Sequence, residues 1–233
     1  MPVRPPLLLM PGLLCDAGLW GHQLATLADV AEMTVADMTQ DDSIDAMARR
    51  ALDTAPGRFA LCGLSMGGYA AQAVMRMAPE RVTKLALLDT APGPDTPERT
   101  AGRRDLMARA AAGDLEGVID HHMTGFIAAN RQDDAALTAA VRASARNVGA
   151  EAYQRQQTAI ITRPDNRPNL PDIACPTLVL CGRLDVMTPP AVHEEMASAI
   201  PGAKLVVVEN CGHLSPLERP EAVSAVLRYW LAE

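Results

Sequence analysis

A chain of 233 residues, 48% of them hydrophobic, can bury one sizeable core; with aromatics at only 3%, that core must come mainly from Leu, Val, Ala and Met. A net charge of −7 with no basic cluster argues against nucleic acid and anionic membrane surfaces as partners. No apolar run approaches the roughly 20 residues of a transmembrane helix.

The first predicted strand is the continuous apolar run from Pro6 to Met10, which reads as a buried parallel strand ended by Pro11-Gly12. Arg4, this run and Leu13-Leu14-Cys15 together imitate a lipoprotein signal. Pro11-Gly12 interrupts the apolar stretch too early for one, and Leu14 is too large for the position before a cleavage site. Leu19 to Leu27 is expected to be helical, with Trp20, Leu24 and Leu27 on one face. A short strand follows at 33–36, then a helix at 43–54 capped by Ser43, then a strand at 59–63.

Cys62-Gly63-Leu64-Ser65-Met66-Gly67-Gly68 comes next, between that strand and a helix-like run from Tyr69 to Arg76. A G-x-S-x-G in this position reads as a nucleophile elbow, a tight turn that presents a serine hydroxyl at the end of a sheet. The helix behind it aims its positive end at the serine and offers backbone N–H groups to an oxyanion. The spacing lacks the G-x-G-x-x-G of a dinucleotide site and has no P-loop lysine.

Another strand at 82–88 ends in Asp89-Thr90, and the alternation of strands with helices predicts a doubly wound, parallel α/β sheet. From 92 to 170 the pattern changes to helix-like stretches at 98–112, 114–122, 133–148 and 150–161. This segment is expected to be a helical cap over the carboxyl edge of a core formed by 1–91 and 171–233. The sheet resumes with strands at 177–181 and 204–208, a helix opened by Pro189-Pro190 and a final helix at 220–231.

Loops after parallel strands gather at one edge of the sheet, where ligands bind. Ser65, Asp185 and His213 each follow a separate predicted strand, in the order Ser…Asp…His. A serine hydroxyl needs an adjacent base to attack, His213 is placed to take its proton, and Asp185 would hold the imidazole. Asp89, also at a strand end, competes with Asp185 as the acid. The oxyanion donors are expected to be the N–H of Met66 and that of Leu13, with Leu14 as the competing assignment. Trp20, Met123, Phe126, Met187 and Leu214 are expected to line an apolar acyl pocket. Arg103, Arg104, Arg163 and Arg183 are candidates to receive a charged substrate. His121-His122, in the cap segment, has no Cys or carboxylate partner at ligand spacing, so no metal is expected. The five cysteines, odd in number and without C-x-x-C spacing, fit reduced thiols and a cytoplasmic location.

The Gly63–Gly68 elbow, Pro79-Glu80-Arg81-Val82, Cys175-Pro176-Thr177-Leu178-Val179, Gly182 to Asp185, Thr188-Pro189-Pro190 and Gly212-His213 resemble the α/β-hydrolase superfamily. The elbow and the region from Cys175 to Pro220 are most similar to small carboxylesterases and 3-oxoadipate enol-lactonases. The resemblance implies a serine hydrolase that needs no cofactor, acts on a small ester or lactone through an acyl-enzyme, and carries a helical lid. A lyase or perhydrolase reaction on the same triad is the alternative, and a non-catalytic binding protein of this fold the remoter one.

Two departures accompany it. No antiparallel hairpin precedes the first predicted strand, so a sheet of about six strands is expected, and Pro11-Gly12 replaces the usual His-Gly after that strand. Leu64 also stands where many carbon–carbon bond hydrolases of the superfamily carry Asn before the serine.

Overall fold

The computed structural model describes residues 4–233. Its elements follow in chain order: β1 (Pro6–Met10), α1 (Gly21–Thr26), β2 (Glu32–Val35), α2 (Ile44–Thr54), β3 (Phe59–Leu64), α3 (Met66–Met77) and β4 (Val82–Leu88). Three helices intervene, α4 (Pro97–Ala111), α5 (Leu115–Phe126) and α6 (Ala135–Ile161), before β5 (Thr177–Gly182), α7 (Pro190–Ala199), β6 (Lys204–Val208), α8 (Ser215–Glu218) and α9 (Pro220–Ala232). The six strands form one parallel sheet in the order β2-β1-β3-β4-β5-β6. This is the doubly wound α/β architecture expected from the alternation, with six strands.

Position in the sheet explains strand composition. Every residue of β3 and β5 is buried, because helices cover both faces of central parallel strands. The edge strand β2 alternates between exposed and half-buried residues, and most of β6 is half-buried or exposed. Helix α2 packs with α3 and α1 with α9, and α2 buries an apolar stripe of Ile44, Met47, Ala48 and Ala51.

The segment between β4 and β5 holds α4, α5 and α6, with 3-10 turns at Ala129–Arg131 and Arg167–Asp172, and no strand. Each helix begins at a side-chain cap: Thr96 accepts from Arg99 N, Asp114 from Gly117 N, and Asp134 from Leu137 N. The two helices expected at 133–148 and 150–161 are the two arms of α6, separated at Gly149, whose φ of 77° few other residues adopt readily. Sequence periodicity had carried the first helix through Trp20. In the structure, residues 17–20 make a 3-10 turn, capped by Asp16 accepting from Gly18 N, before α1 begins at Gly21.

Candidate active site

Ser65 ends β3 and begins α3 in a backbone conformation rare for a residue with a side chain, φ 54° and ψ −114°. Such a conformation costs about 1–3 kcal/mol and needs neighbours that hold it. Ser65 N donates to Leu88 O at 2.9 Å, and Thr90 Oγ1 donates to Ser65 O at 2.8 Å, so the end of β4 grips the turn from both sides. A Cβ on Gly67 would fall inside the contact radius of Met10 O, which shows how closely β1 approaches the elbow.

The three residues proposed from strand ends converge. Ser65 Oγ lies 2.8 Å from His213 Nε2, and His213 Nδ1 lies 2.8 Å from Asp185 Oδ2. A carboxylate only accepts, so Nδ1 carries the ring proton, and Nε2 offers its lone pair to the serine O–H. Asp185 is itself fixed by Met187 N and Thr188 N on Oδ1, at 2.8 and 3.0 Å, and by Thr188 Oγ1 on Oδ2 at 2.7 Å. Burial disfavours the Asp185 carboxylate, but the neighbouring His213 charge and these hydrogen bonds outweigh it and hold its pKa below the ordinary Asp value. Burial likewise pushes His213 down, and the charge and hydrogen bond of Asp185, backed by Asp89 and Glu218, leave it above the ordinary imidazole value.

Asp89 does not touch the imidazole. Its Oδ1 accepts from Gly182 N at 3.0 Å, and its Oδ2 meets Ser215 Oγ at 2.5 Å and Ser215 N at 3.3 Å. Ser215 donates to it through both Oγ and N, while burial and then the charge of Asp185 push its pKa well above the Asp value. The Asp89 carboxyl therefore ties the end of β4 to the segments that deliver Asp185 and His213. Two further buried side chains brace the same loops, and sequence reading had given neither a role. His193 Nε2 accepts from Thr90 N at 3.0 Å, with its pKa lowered to about 4 chiefly by burial. Glu218 accepts from Gly212 N at 2.9 Å and from Ala128 N at 3.1 Å, linking the His213 loop to the inserted helices.

The rival oxyanion donors separate on geometry. Leu14, at φ 57°, spends its N–H on Gln156 Oε1 at 3.0 Å. Leu13 lines the cavity beside Ser65, and among the described residues nothing accepts its N–H or that of Met66. Gln156 is a wholly buried residue of α6 whose Nε2 donates to Met38 O at 3.1 Å, so it holds the Pro11–Leu14 loop from the inserted segment. Replacing Gln156 by Ala leaves the Leu14 N–H buried without a partner and loosens that loop. We expect turnover at Ser65 to fall about tenfold with KM little changed, less than the roughly 100- to 1000-fold that loss of a whole oxyanion donor costs. Steady-state kinetics on the variant checks this.

The cavity over Ser65 is narrow, about 10 Å³, and is walled by Leu13, Tyr69, Phe126, Ile160, Met187 and Thr188, with Arg99 and Arg103. Of the expected pocket residues, Phe126 and Met187 line it. Trp20, Met123 and Leu214 do not. Trp20 is wholly buried because its turn packs against α6 and α8. Met123 sits a turn back on α5, and Leu214 is tied through its N–H to Phe126 O at 3.1 Å. Of the four arginines proposed, only Arg103 reaches the cavity. Arg163 is buried on Asp95 and over the Tyr69 ring, Arg183 pairs with Glu209 in solvent, and Arg104 is exposed. A larger cleft of about 450 Å³ beside α3 contains no Ser, Cys or His in its wall, so it offers no nucleophile–base pair. Among the described residues, no group of three or more His, Cys, Asp or Glu side chains could hold a metal ion.

The inserted helices reach the imidazole directly. Phe126 stacks on His213 with ring centroids 6.2 Å apart, and His122 stacks on Phe126 at 5.2 Å. His122 is buried and Nε2 meets Tyr153 Oη at 3.0 Å, while burial lowers its pKa to about 3. His121 is exposed and lines an outer groove.

Comparison with known proteins places these features in context. The model of an alpha/beta hydrolase family matches residues 7–226. A pimeloyl-[acyl-carrier protein] methyl ester esterase of Nitrosomonas europaea is 28% identical over 235 residues, covering 93% of this chain and 92% of its own. A thermophilic esterase from Thermogutta terrifontis superposes with a TM-score of 0.89 at 29% identity, over 99% of this chain and 90% of that one. The enol-lactonase of Burkholderia xenovorans gives a TM-score of 0.88 at 25% identity, over 99% and 92% of the two chains.

Proposed function

The chain belongs to the alpha/beta hydrolase family and is an esterase-like hydrolytic enzyme, and we propose that it cleaves small carboxylic esters or lactones through an acyl-enzyme on Ser65. The observation that carries this reading is the unbroken hydrogen-bond line from Ser65 Oγ through His213 to Asp185. In the proposed reaction His213 Nε2 takes the hydroxyl proton as Ser65 Oγ attacks the carbonyl carbon. The oxyanion is received by the N–H groups of Met66 and Leu13, and the imidazolium by Asp185. Nε2 then returns the proton to the leaving alkoxide. Water repeats the cycle on the acyl-enzyme, with His213 again as base.

The inserted helices, residues 92–170, act in this proposal as a lid that supplies Phe126 to the cavity wall and keeps bulk water from the acyl-enzyme. Lactone opening is the second reading. It needs the same triad and is favoured by the likeness to the enol-lactonase.

A fluorophosphonate probe should label Ser65 stoichiometrically, with the adduct located by peptide mass spectrometry, and a short-chain 4-nitrophenyl ester should turn over. An unlabelled Ser65 together with absent turnover would sink the proposal. The pH dependence has a fixed sign. The base must be neutral and its pKa is raised, so kcat/KM should climb with pH through an inflection above the usual imidazole value. A profile flat between about pH 5 and 9 counts against His213 as the base.

A further inference from the structure

We propose that the preferred substrate carries, besides its ester or lactone, an ionised carboxylate, and that Arg103 with Arg99 beside it recognises that group. The inference rests on the hydrolytic reading above and goes beyond it by naming a charge on the substrate.

The first argument is a charge count. Arg103 and Arg163 both pair with one acid, Asp95, and the three side chains are 10%, 3% and 1% exposed. One positive charge in this buried cluster therefore has no counter-charge. An uncompensated buried charge is costly, and it is retained where something outside the chain supplies the counter-charge. Arg99 adds a second. Its side chain donates only to Met187 O, at 3.3 Å, and among the described residues no acid pairs with it.

The second argument concerns what holds Arg103. Its Nε donates to Asp95 and its Nη1 to Gln157 Oε1 at 2.9 Å, whereas Nη2 has no partner among the described residues. Guanidinium nitrogens only donate, so Gln157 must face Arg103 with its oxygen and Tyr153 Oη with its Nε2, at 2.7 Å. Tyr153 Oη, accepting from Gln157, then donates to His122 Nε2. The orientation of every member is fixed by the charge at one end, which leaves Arg103 preorganised with an unused donor.

The third argument is position. Arg103 and Arg99 wall the cavity that contains Ser65 and His213, and together with Met187 they also wall the groove that runs outward between α4 and α5. The only carboxylate lining that groove is the exposed Asp105. A substrate with its carbonyl at Ser65 would thus pass its far end across two guanidinium groups. A carboxylate, with two coplanar oxygens, matches the free edge of a guanidinium.

The test compares matched esters. Mono-4-nitrophenyl adipate is set against 4-nitrophenyl hexanoate, placing the charge on the acyl half. The acetate ester of 4-hydroxybenzoate is set against phenyl acetate, placing it on the alcohol half. The acidic member of one pair should show kcat/KM at least about tenfold higher, and Arg103→Gln should narrow that ratio by about the same factor, mainly through KM. Should Arg103→Gln fail to fold by circular dichroism, the wild-type ratio and the solvent-facing Arg99→Gln decide, the latter expected to narrow the ratio about threefold. Turnover of the neutral esters with no preference in either pair overturns the charge proposal and leaves hydrolysis standing. No turnover of any ester, with Ser65 unlabelled, overturns the hydrolytic reading and this inference with it.

Discussion

Ser65→Ala should reduce kcat for a short-chain 4-nitrophenyl ester by on the order of a millionfold, to the level left by oxyanion donors and binding alone. The size of the loss follows from the removal of the attacking atom. His213 Nε2 then faces a methyl group, and a water would have to be positioned there by chance. The folded state should hardly notice. Alanine has the same Cβ at the same strained φ of 54°, and the turn is held by the backbone bonds of Ser65 to Leu88 and Thr90, which the substitution leaves intact. Only the hydroxyl's bond to His213 is lost, worth about 1 kcal/mol, so Tm should move by no more than about 3 °C. Full activity in this variant would remove Ser65 from the mechanism. A comparable loss accompanied by a collapsed Tm would show instead that the side chain is structural.

The elements most legible in the sequence are those with a local cause. Continuous apolar runs at β1, β3 and β5 announce buried parallel strands, and the G-x-S-x-G after β3 announces the turn. The order Ser65, Asp185, His213 was readable because parallel strands deliver their following loops to one edge. What stayed hidden depends on contacts between distant segments. Nothing in the local pattern around Gln156 says that it meets Leu14, 142 positions away, or that Glu218 will span Gly212 and Ala128. Trp20 illustrates the opposite failure. An aromatic residue near a site is as useful to the core as to the pocket, and the packing of its turn against α6 and α8 decided for the core. Arg99 and Arg104 are equally plausible from the sequence, since helical spacing alone does not say which arginine of a cationic helix faces inward.

Asp185→Asn is expected to lower kcat roughly 10⁴-fold while leaving the chain folded. The reason lies in which atoms the amide can match. Oδ1 of Asp185 receives two backbone N–H groups, from Met187 and Thr188, so the amide oxygen of Asn must take that position. Its NH₂ then replaces Oδ2 and points a donor at His213 Nδ1. The imidazole responds by moving its proton to Nε2, the atom that must accept from Ser65, and the base is lost. The small remaining activity should titrate differently as well. With the Asp185 charge gone, the effect that raises His213 above the ordinary imidazole value is gone, and burial pulls its pKa down.

Asp89→Asn is the matched control, because the structure offers two buried acids at neighbouring strand ends. There the amide oxygen can still accept from Gly182 N, and the Ser215 hydroxyl can turn to accept from the NH₂ that replaces Oδ2, so only the long contact from Ser215 N is lost. Its kcat should stay within about threefold of the wild type, because neither bond of the imidazole, to Ser65 or to Asp185, involves Asp89. Parallel pH–rate profiles of the two variants separate the roles. If Asp89→Asn collapses the rate and Asp185→Asn does not, the two acids must exchange their assignments.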